Sequence, residues 1–163
     1  MIELIIFDRD DTLNIDIGFT YRTEDCKLVE GAQEVVGFVK SKGLKIAIAS
    51  NQSGVGEGFY SLSQMRKFNS TLFKKLGLRS DTYFSYCPHP RKMEYRCACR
   101  KPSPYLILEV CTKFNISPSN TVFIGDSISD QISAQRAGCE FIYVDPLLGH
   151  KRTIDNLRKA IEM

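Results

Sequence analysis

The sequence predicts an α/β protein built on a central parallel sheet, and two patterns predict it. Short β-type runs alternate with stretches whose apolar residues recur at helical spacing, the order that βαβ units produce. The first run, Ile2 to Phe7, is apolar except for Glu3, as expected of a strand buried on both faces. The chain has 163 residues, enough for one domain (1–163) with its own core and no disulfide framework.

The elements follow in order. After the strand at 2–7, Val35, Val36 and Val39 mark one face of a helix over 31–41, which Gly43 ends. Leu44 to Ala49 is a second buried strand. Ser61 or Ser63 offers an N-cap to a helix whose apolar face is Met65, Phe68, Leu72, Phe73 and Leu76, with Gly77 as its stop. Thr82 to Tyr86 is a third strand. Residues 87–104 break the rhythm with Pro88, Pro90, Pro102 and Pro104, and form an irregular insertion. Tyr105–Phe114 is helical, Thr121–Ile124 a strand, Ile128–Ala137 a helix ended by Gly138, and Glu140–Val144 a strand. The last helix runs over about 151–162, and no segment is long enough for a large cap domain.

Composition removes several classes. Apolar residues make up 43% and charged residues 25%, a globular balance. The net charge of +3 is too mild to imply nucleic acid. No apolar run approaches the ~20 residues of a membrane span. Glu3 stands where a signal peptide carries Lys or Arg, so a cytoplasmic protein is expected. With no long heptad or obvious apolar patch, a monomer is expected.

The polar residues fall where a parallel sheet binds ligands, at the carboxyl ends of its strands. Asp8 and Asp10 follow the first strand, Ser50, Asn51 and Gln52 the second, and Asp126 and Asp130 the strand at 121–124. Clustered carboxylates resist joint ionisation unless a cation sits between them. Oxygen-only ligation with few protein ligands suits Mg²⁺, which keeps waters and takes phosphate oxygens. Mg²⁺, Lys101, a serine hydroxyl and backbone N–H groups suit a phosphoryl group, and a carboxylate aimed at phosphorus could attack it.

The insertion carries a second pattern. Cys87-x-His89 and Cys97-x-Cys99 supply three thiolates and one imidazole across a short loop. Four N/S ligands with no open position describe a structural zinc site, which would fold a proline-rich segment lacking its own core. Cys26, Cys111 and Cys139 stand alone and are expected as small buried apolar residues; His150 is expected at the surface. Arg91, Lys92, Arg96, Arg100 and Lys101 outweigh Glu94 in the loop. Arg91, Lys92 and Arg96 are expected to be solvated. Arg100, directly after Cys99, is a candidate to grip the non-reacting end of a substrate. Tyr95 is the loop's one aromatic, which speaks against a nucleic-acid contact.

These residues resemble the haloacid dehalogenase superfamily of phosphatases. Its four motifs appear in order as Asp8-Arg9-Asp10-Asp11-Thr12-Leu13-Asn14, Ser50-Asn51, Lys101, and Gly125-Asp126 with Asp130. Ser50-Asn51-Gln52-Ser53-Gly54 and the Cys/His loop are similar to the branch holding heptose bisphosphate and histidinol-phosphate phosphatases. The resemblance implies a Rossmann-like three-layer sandwich with Asp8 as nucleophile and Asp10 as acid/base. It implies that Ser50, Asn51 and Lys101 hold the phosphoryl group, with Gln52 a further candidate to bind substrate or phosphate, and that Asp8, the Asp10 carbonyl and Asp126 hold Mg²⁺. Asp130 is open to the metal or to Lys101. Asp11 and Ser127 stand where the heptose enzymes usually carry Gly and Lys, and Glu57 reverses the charge near a usual Arg. The implied substrate is a small phosphate ester. Heptose 1,7-bisphosphate comes first, with histidinol phosphate or an inactive zinc-stabilised binding module as alternatives.

Overall fold

The apolar runs pair into five strands: β1 (Leu4–Phe7), β2 (Lys45–Asn51), β3 (Tyr83–Cys87), β4 (Thr121–Gly125) and β5 (Glu140–Tyr143). They lie in the order β3-β2-β1-β4-β5, every neighbouring pair parallel. The computed structural model describes residues 1–92 and 97–162, so Glu94, Tyr95 and Arg96 lie outside the described residues.

Alternation along the strands decides which helix covers which face. Ile5, Phe7, Ile48, Val122 and Ile124 face one core with α1 (Ala32–Ser41), α3 (Leu62–Leu76) and α6 (Thr153–Glu162). Leu4, Ile6, Ala47, Ala49 and Phe123 face the other with α4 (Tyr105–Phe114) and α5 (Ile128–Ala137). The result is the three-layer Rossmann-like sandwich expected, with no large cap among the described residues. No described helix is long and apolar enough to cross a membrane.

Helix starts and stops carry local signals. Ser61 caps α3, its hydroxyl accepting from the Gln64 N–H while the Gln64 side chain accepts from the Ser61 N–H. Ser127 and Asp130 repeat this capping box on α5. Gly77 and Gly138 end those helices with φ of 66° and 80°, a conformation that favours glycine.

Several boundaries shift by one or two residues from the sequence expectation. β1 begins at Leu4, β2 runs on to Asn51, α6 begins at Thr153, and β3 runs to Cys87, which pairs with Asn51. The cysteine insertion therefore starts inside the sheet. A short helix, α2 (Ser53–Gly56), follows β2 and has no apolar periodicity to announce it. The strand order reverses about β1, because β2 and β3 lie to one side and β4 and β5 to the other. The ends of β1, β2 and β4 therefore open a crevice at this switch point.

Candidate active site

Asp8 leaves β1 beside β4, its N–H donating to the Ile124 carbonyl at 2.8 Å. The chain then turns back on itself, with the N–H groups of Leu13 and Asn14 both donating to the Arg9 carbonyl. Asp11 takes the left-handed conformation (φ 58°) that this turn requires, and aspartate tolerates it better than most residues. Its side chain accepts from the Asp16 N–H at 2.8 Å.

Asp8, Asp10, Ser50, Asn51, Lys101, Asp126 and Asp130 all line one polar crevice of about 200 Å³. Asp11, Ser127 and Ser129 complete it. Lys101 is its cationic centre. Buried to 4% exposure, its ammonium lies 2.7 Å from Asp8 Oδ1 and 2.6 Å from Asp130 Oδ1, and donates to the Ala49 carbonyl. Burial alone would lower the Lys101 pKa, but Asp8 and Asp130 raise it well above the usual lysine range.

Carboxyl oxygens of Asp8, Asp126 and Asp130 lie within 4.8 Å of one another. Burial raises Asp8 well above the usual carboxylate range, with Asp130 and Asp126 adding to the rise and Lys101 opposing it. Burial and the nearby Asp130 push Asp126 up to about 6. Three carboxylates against one ammonium leave negative charge uncompensated, so the donor set fits a hard divalent cation. Asp130 has both oxygens committed, Oδ1 to Lys101 and Oδ2 to the Ser127 N–H and hydroxyl. Of its two expected roles, this geometry favours support of Lys101. Gly125 makes that packing feasible, because a Cβ there would stand 2.6 Å from Asp130 Oδ2.

Gln52 and Arg100 do not line the crevice. Gln52 is buried behind it and donates to Asp10 Oδ2 and Ser50 Oγ, both at 2.9 Å, while Tyr60 donates to its Oε1. Arg100 is half-buried and donates to the His89 carbonyl. Asn51 brackets the Lys101 backbone, accepting from its N–H at 3.0 Å and donating to its carbonyl at 3.2 Å.

The Cys/His residues converge as their spacing suggested. His89 Nδ1 lies 3.0 to 3.4 Å from the sulfurs of Cys97, Cys99 and Cys87. The Cys87–Cys97 and Cys97–Cys99 sulfur distances are 3.1 and 3.4 Å. Tetrahedral zinc would set such edges at roughly 3.7 Å, so the cluster needs only slight opening to accept it. Burial and the adjacent sulfurs raise Cys99, whereas hydrogen bonds from its neighbours outweigh burial at Cys97 and hold it at about 6. A cation is what allows all three thiols to ionise together.

The start of the loop is tied to the segment that follows β2. The Gln52 N–H donates to the Cys87 carbonyl, Gly56 to Pro88, and Arg91 to the Glu57 carboxylate. A Cβ on Gly56 would lie 2.5 Å from the Pro88 oxygen, so only glycine allows this approach. Cys26 and Cys111 are buried as expected, and Cys139 is partly buried.

His150 corrects the expectation of a surface residue. It is 4% exposed, its Nε2 lies 2.7 Å from the Thr12 carbonyl and its Nδ1 3.1 Å from Thr153 Oγ1. A carbonyl can only accept, so Nε2 carries the proton and Nδ1 accepts from threonine. Thr12 in turn donates to Asp126 Oδ1 at 3.1 Å. The sequence held no signal for His150, because its partner lies 138 residues away. Arg9 was equally silent. It stands within the first motif, yet only the fold shows it buried against Asp10.

The fold and this convergence of carboxylates on a buried lysine mark the crevice as a candidate hydrolase active site. The chain belongs to the haloacid dehalogenase-like hydrolases, whose family model matches residues 14–138. It is 35% identical over 137 residues to a D-glycero-beta-D-manno-heptose-1,7-bisphosphate 7-phosphatase of Helicobacter pylori, covering 82% of this chain and 78% of that one. A D-glycero-alpha-D-manno-heptose-1,7-bisphosphate 7-phosphatase of Campylobacter jejuni is 32% identical over 129 residues, covering 77% and 72%. The solved D,D-heptose 1,7-bisphosphate phosphatase of B. bronchiseptica, complexed with magnesium and phosphate, shares the fold. Its TM-score is 0.80 at 23% identity, over 96% of this chain and 87% of that one.

Proposed function

We propose that this protein is an Mg²⁺-dependent phosphatase of a small sugar phosphate, converting D-glycero-D-manno-heptose 1,7-bisphosphate to heptose 1-phosphate. The observation that carries the reading is Asp8 held 2.7 Å from the Lys101 ammonium in a crevice shared with Asp10 and Asp126. The names of the curated relatives supply the substrate.

In the first half-reaction a carboxylate oxygen of Asp8 attacks phosphorus. The bond from phosphorus to the sugar oxygen breaks, and that oxygen takes a proton from the Asp10 carboxylic acid. The product is an aspartyl phosphate. In the second half-reaction the Asp10 carboxylate takes a proton from water as the water attacks phosphorus. The bond to Asp8 then breaks, and inorganic phosphate leaves with both aspartates restored.

Lys101 neutralises Asp8 and the transferring oxygens, with Ser50 and Asn51 beside it. Asp8, Asp126 and the Asp10 main-chain carbonyl would hold Mg²⁺, with Asp130 supporting Lys101. The ion supplies charge neutralisation for the phosphoryl oxygens and for the carboxylates around them. Cys87, His89, Cys97 and Cys99 would hold a structural Zn²⁺. Gln52 orients Asp10 and Ser50, and Arg100 is the candidate for the non-reacting end of the substrate. The protein is read as a monomer.

Phosphate release should be measured with heptose bisphosphate and histidinol phosphate side by side. Faster turnover of the heptose ester is expected, and Asp8→Asn should bring release to background with zinc content and fold retained. Undiminished turnover by that variant would refute the mechanism, and a preference for histidinol phosphate would refute the substrate.

A further inference from the structure

The largest fully buried side chain among the described residues is that of Arg9, between the two aspartates of the first motif. A guanidinium cannot shed its charge, and burying one is costly unless its donors are satisfied. Here they are largely used. Nε and Nη2 donate to Asp10 Oδ1 at 3.1 and 2.9 Å, and Nη2 also approaches Oδ2 at 3.1 Å. Nη2 further donates to the Thr20 carbonyl at 2.9 Å, and Nη1 to Asn69 Oδ1 at 3.2 Å. The guanidinium carbon lies 4.7 Å from the centroid of the Phe68 ring.

Arg9 is therefore fixed from three elements: the loop after Asn14, helix α3, and its own turn. Its fork closes on one carboxylate. Stability is a weak reason to keep such a pair, since well-packed apolar residues often serve as well. Position is a better one. Asn14 Nδ2 adds a donor to Oδ1 at 3.0 Å and Gln52 Nε2 one to Oδ2 at 2.9 Å. Oδ1 thus takes three donors and Oδ2 two, so the carboxylate is pinned in orientation, with Oδ2 the less committed oxygen.

We propose that Arg9 is the positioning residue for Asp10, holding Oδ1 with its fork so that Oδ2 is presented to the leaving oxygen of the substrate. The inference rests on the phosphatase reading, in which Asp10 is the acid. It also narrows the substrate class. An alkoxide is a strong base and leaves only with a proton, whereas a nitrophenolate leaves without one. A site that fixes its acid this firmly is built for alkyl phosphomonoesters.

The test compares ester classes at saturating substrate. Phosphate release is measured from heptose bisphosphate and histidinol phosphate, both alkyl esters, and from p-nitrophenyl phosphate, for the wild type, Arg9→Met, Arg9→Lys and Asn69→Leu. A misplaced catalytic group loses on the order of 100-fold in rate. For Arg9→Met we expect that loss in kcat on the faster alkyl ester and less than a tenth of it on the aryl ester. Arg9→Lys should shift the ratio in the same direction, because one ammonium cannot replace the fork. Asn69→Leu, which removes only the far anchor, should shift it less.

Should Arg9→Met fail to fold, judged by zinc content and thermal unfolding, the other two variants decide. Equal losses on both ester classes, or no loss, in the folded variants would overturn the proposal and leave Arg9 a purely structural residue. Hydrolysis of the aryl ester alone by the wild type, abolished by Asp8→Asn, would overturn it while sparing the phosphatase reading. Hydrolysis of neither class would overturn both.

Discussion

At the scale of single residues the site is an exercise in charge balance. Lys101 is enclosed with Asp8 and Asp130 on either side of its ammonium. Removing one member of a buried ion pair leaves the rest uncompensated, at a cost of about 3–5 kcal/mol. Lys101→Met should therefore lose that much stability in urea unfolding and lose phosphate release with it; a variant as stable as the wild type would show that water already reaches the group. His150 makes a pH prediction. Burial lowers its pKa from the usual value, against the opposing effects of its bond to Thr12 and of Glu34. The unfolded chain takes a proton near pH 6.5, while the folded chain resists until lower pH. This contribution is complete above about pH 6.5 and falls on acidification, by at most ~1.4 kcal/mol per pH unit, until the folded pKa is passed. Urea midpoints from pH 8 to 5 should show this loss in the wild type and not in His150→Gln. Parallel curves would place the acid sensitivity elsewhere.

At the scale of elements, the insertion after β3 bears on the crevice through its described ends, Cys87–Lys92 and Cys97–Lys101. It leaves the end of β3, is tied to α2 through Gly56 and Glu57, and returns with Lys101 clamped by Asn51. Metal analysis should find one zinc per chain. Zinc depletion with Mg²⁺ restored, or Cys97→Ser, should both destabilise the loop and abolish phosphate release, because Lys101 loses its support. Full activity in zinc-depleted protein would separate the two sites. α2 itself was unreadable in advance. Four residues with two glycines carry no periodicity, and the close approach of Gly56 to Pro88 joins segments far apart in the chain. By contrast, α3 was legible to its caps, since Ser61 and Gly77 act through neighbours in the chain.

At the scale of the whole molecule, one sheet places every functional group. Phe7 pairs with Ile48 and Ile124, so the residues that follow these strands emerge together at a single rim. That convergence was readable because polar residues followed each apolar run, and a parallel sheet has only one carboxyl edge. The sequence by itself determined the layers, the strand ends that bear the chemistry and the paired zinc ligands, since periodicity, capping and ligand spacing act over a few residues. Only the tertiary structure decided that Arg9 closes on Asp10, that Asp130 belongs to Lys101 and that His150 stands behind Thr12. Those choices depend on which distant groups share a water-poor space, where every charge and polar atom must find its partner among whatever the fold brings near.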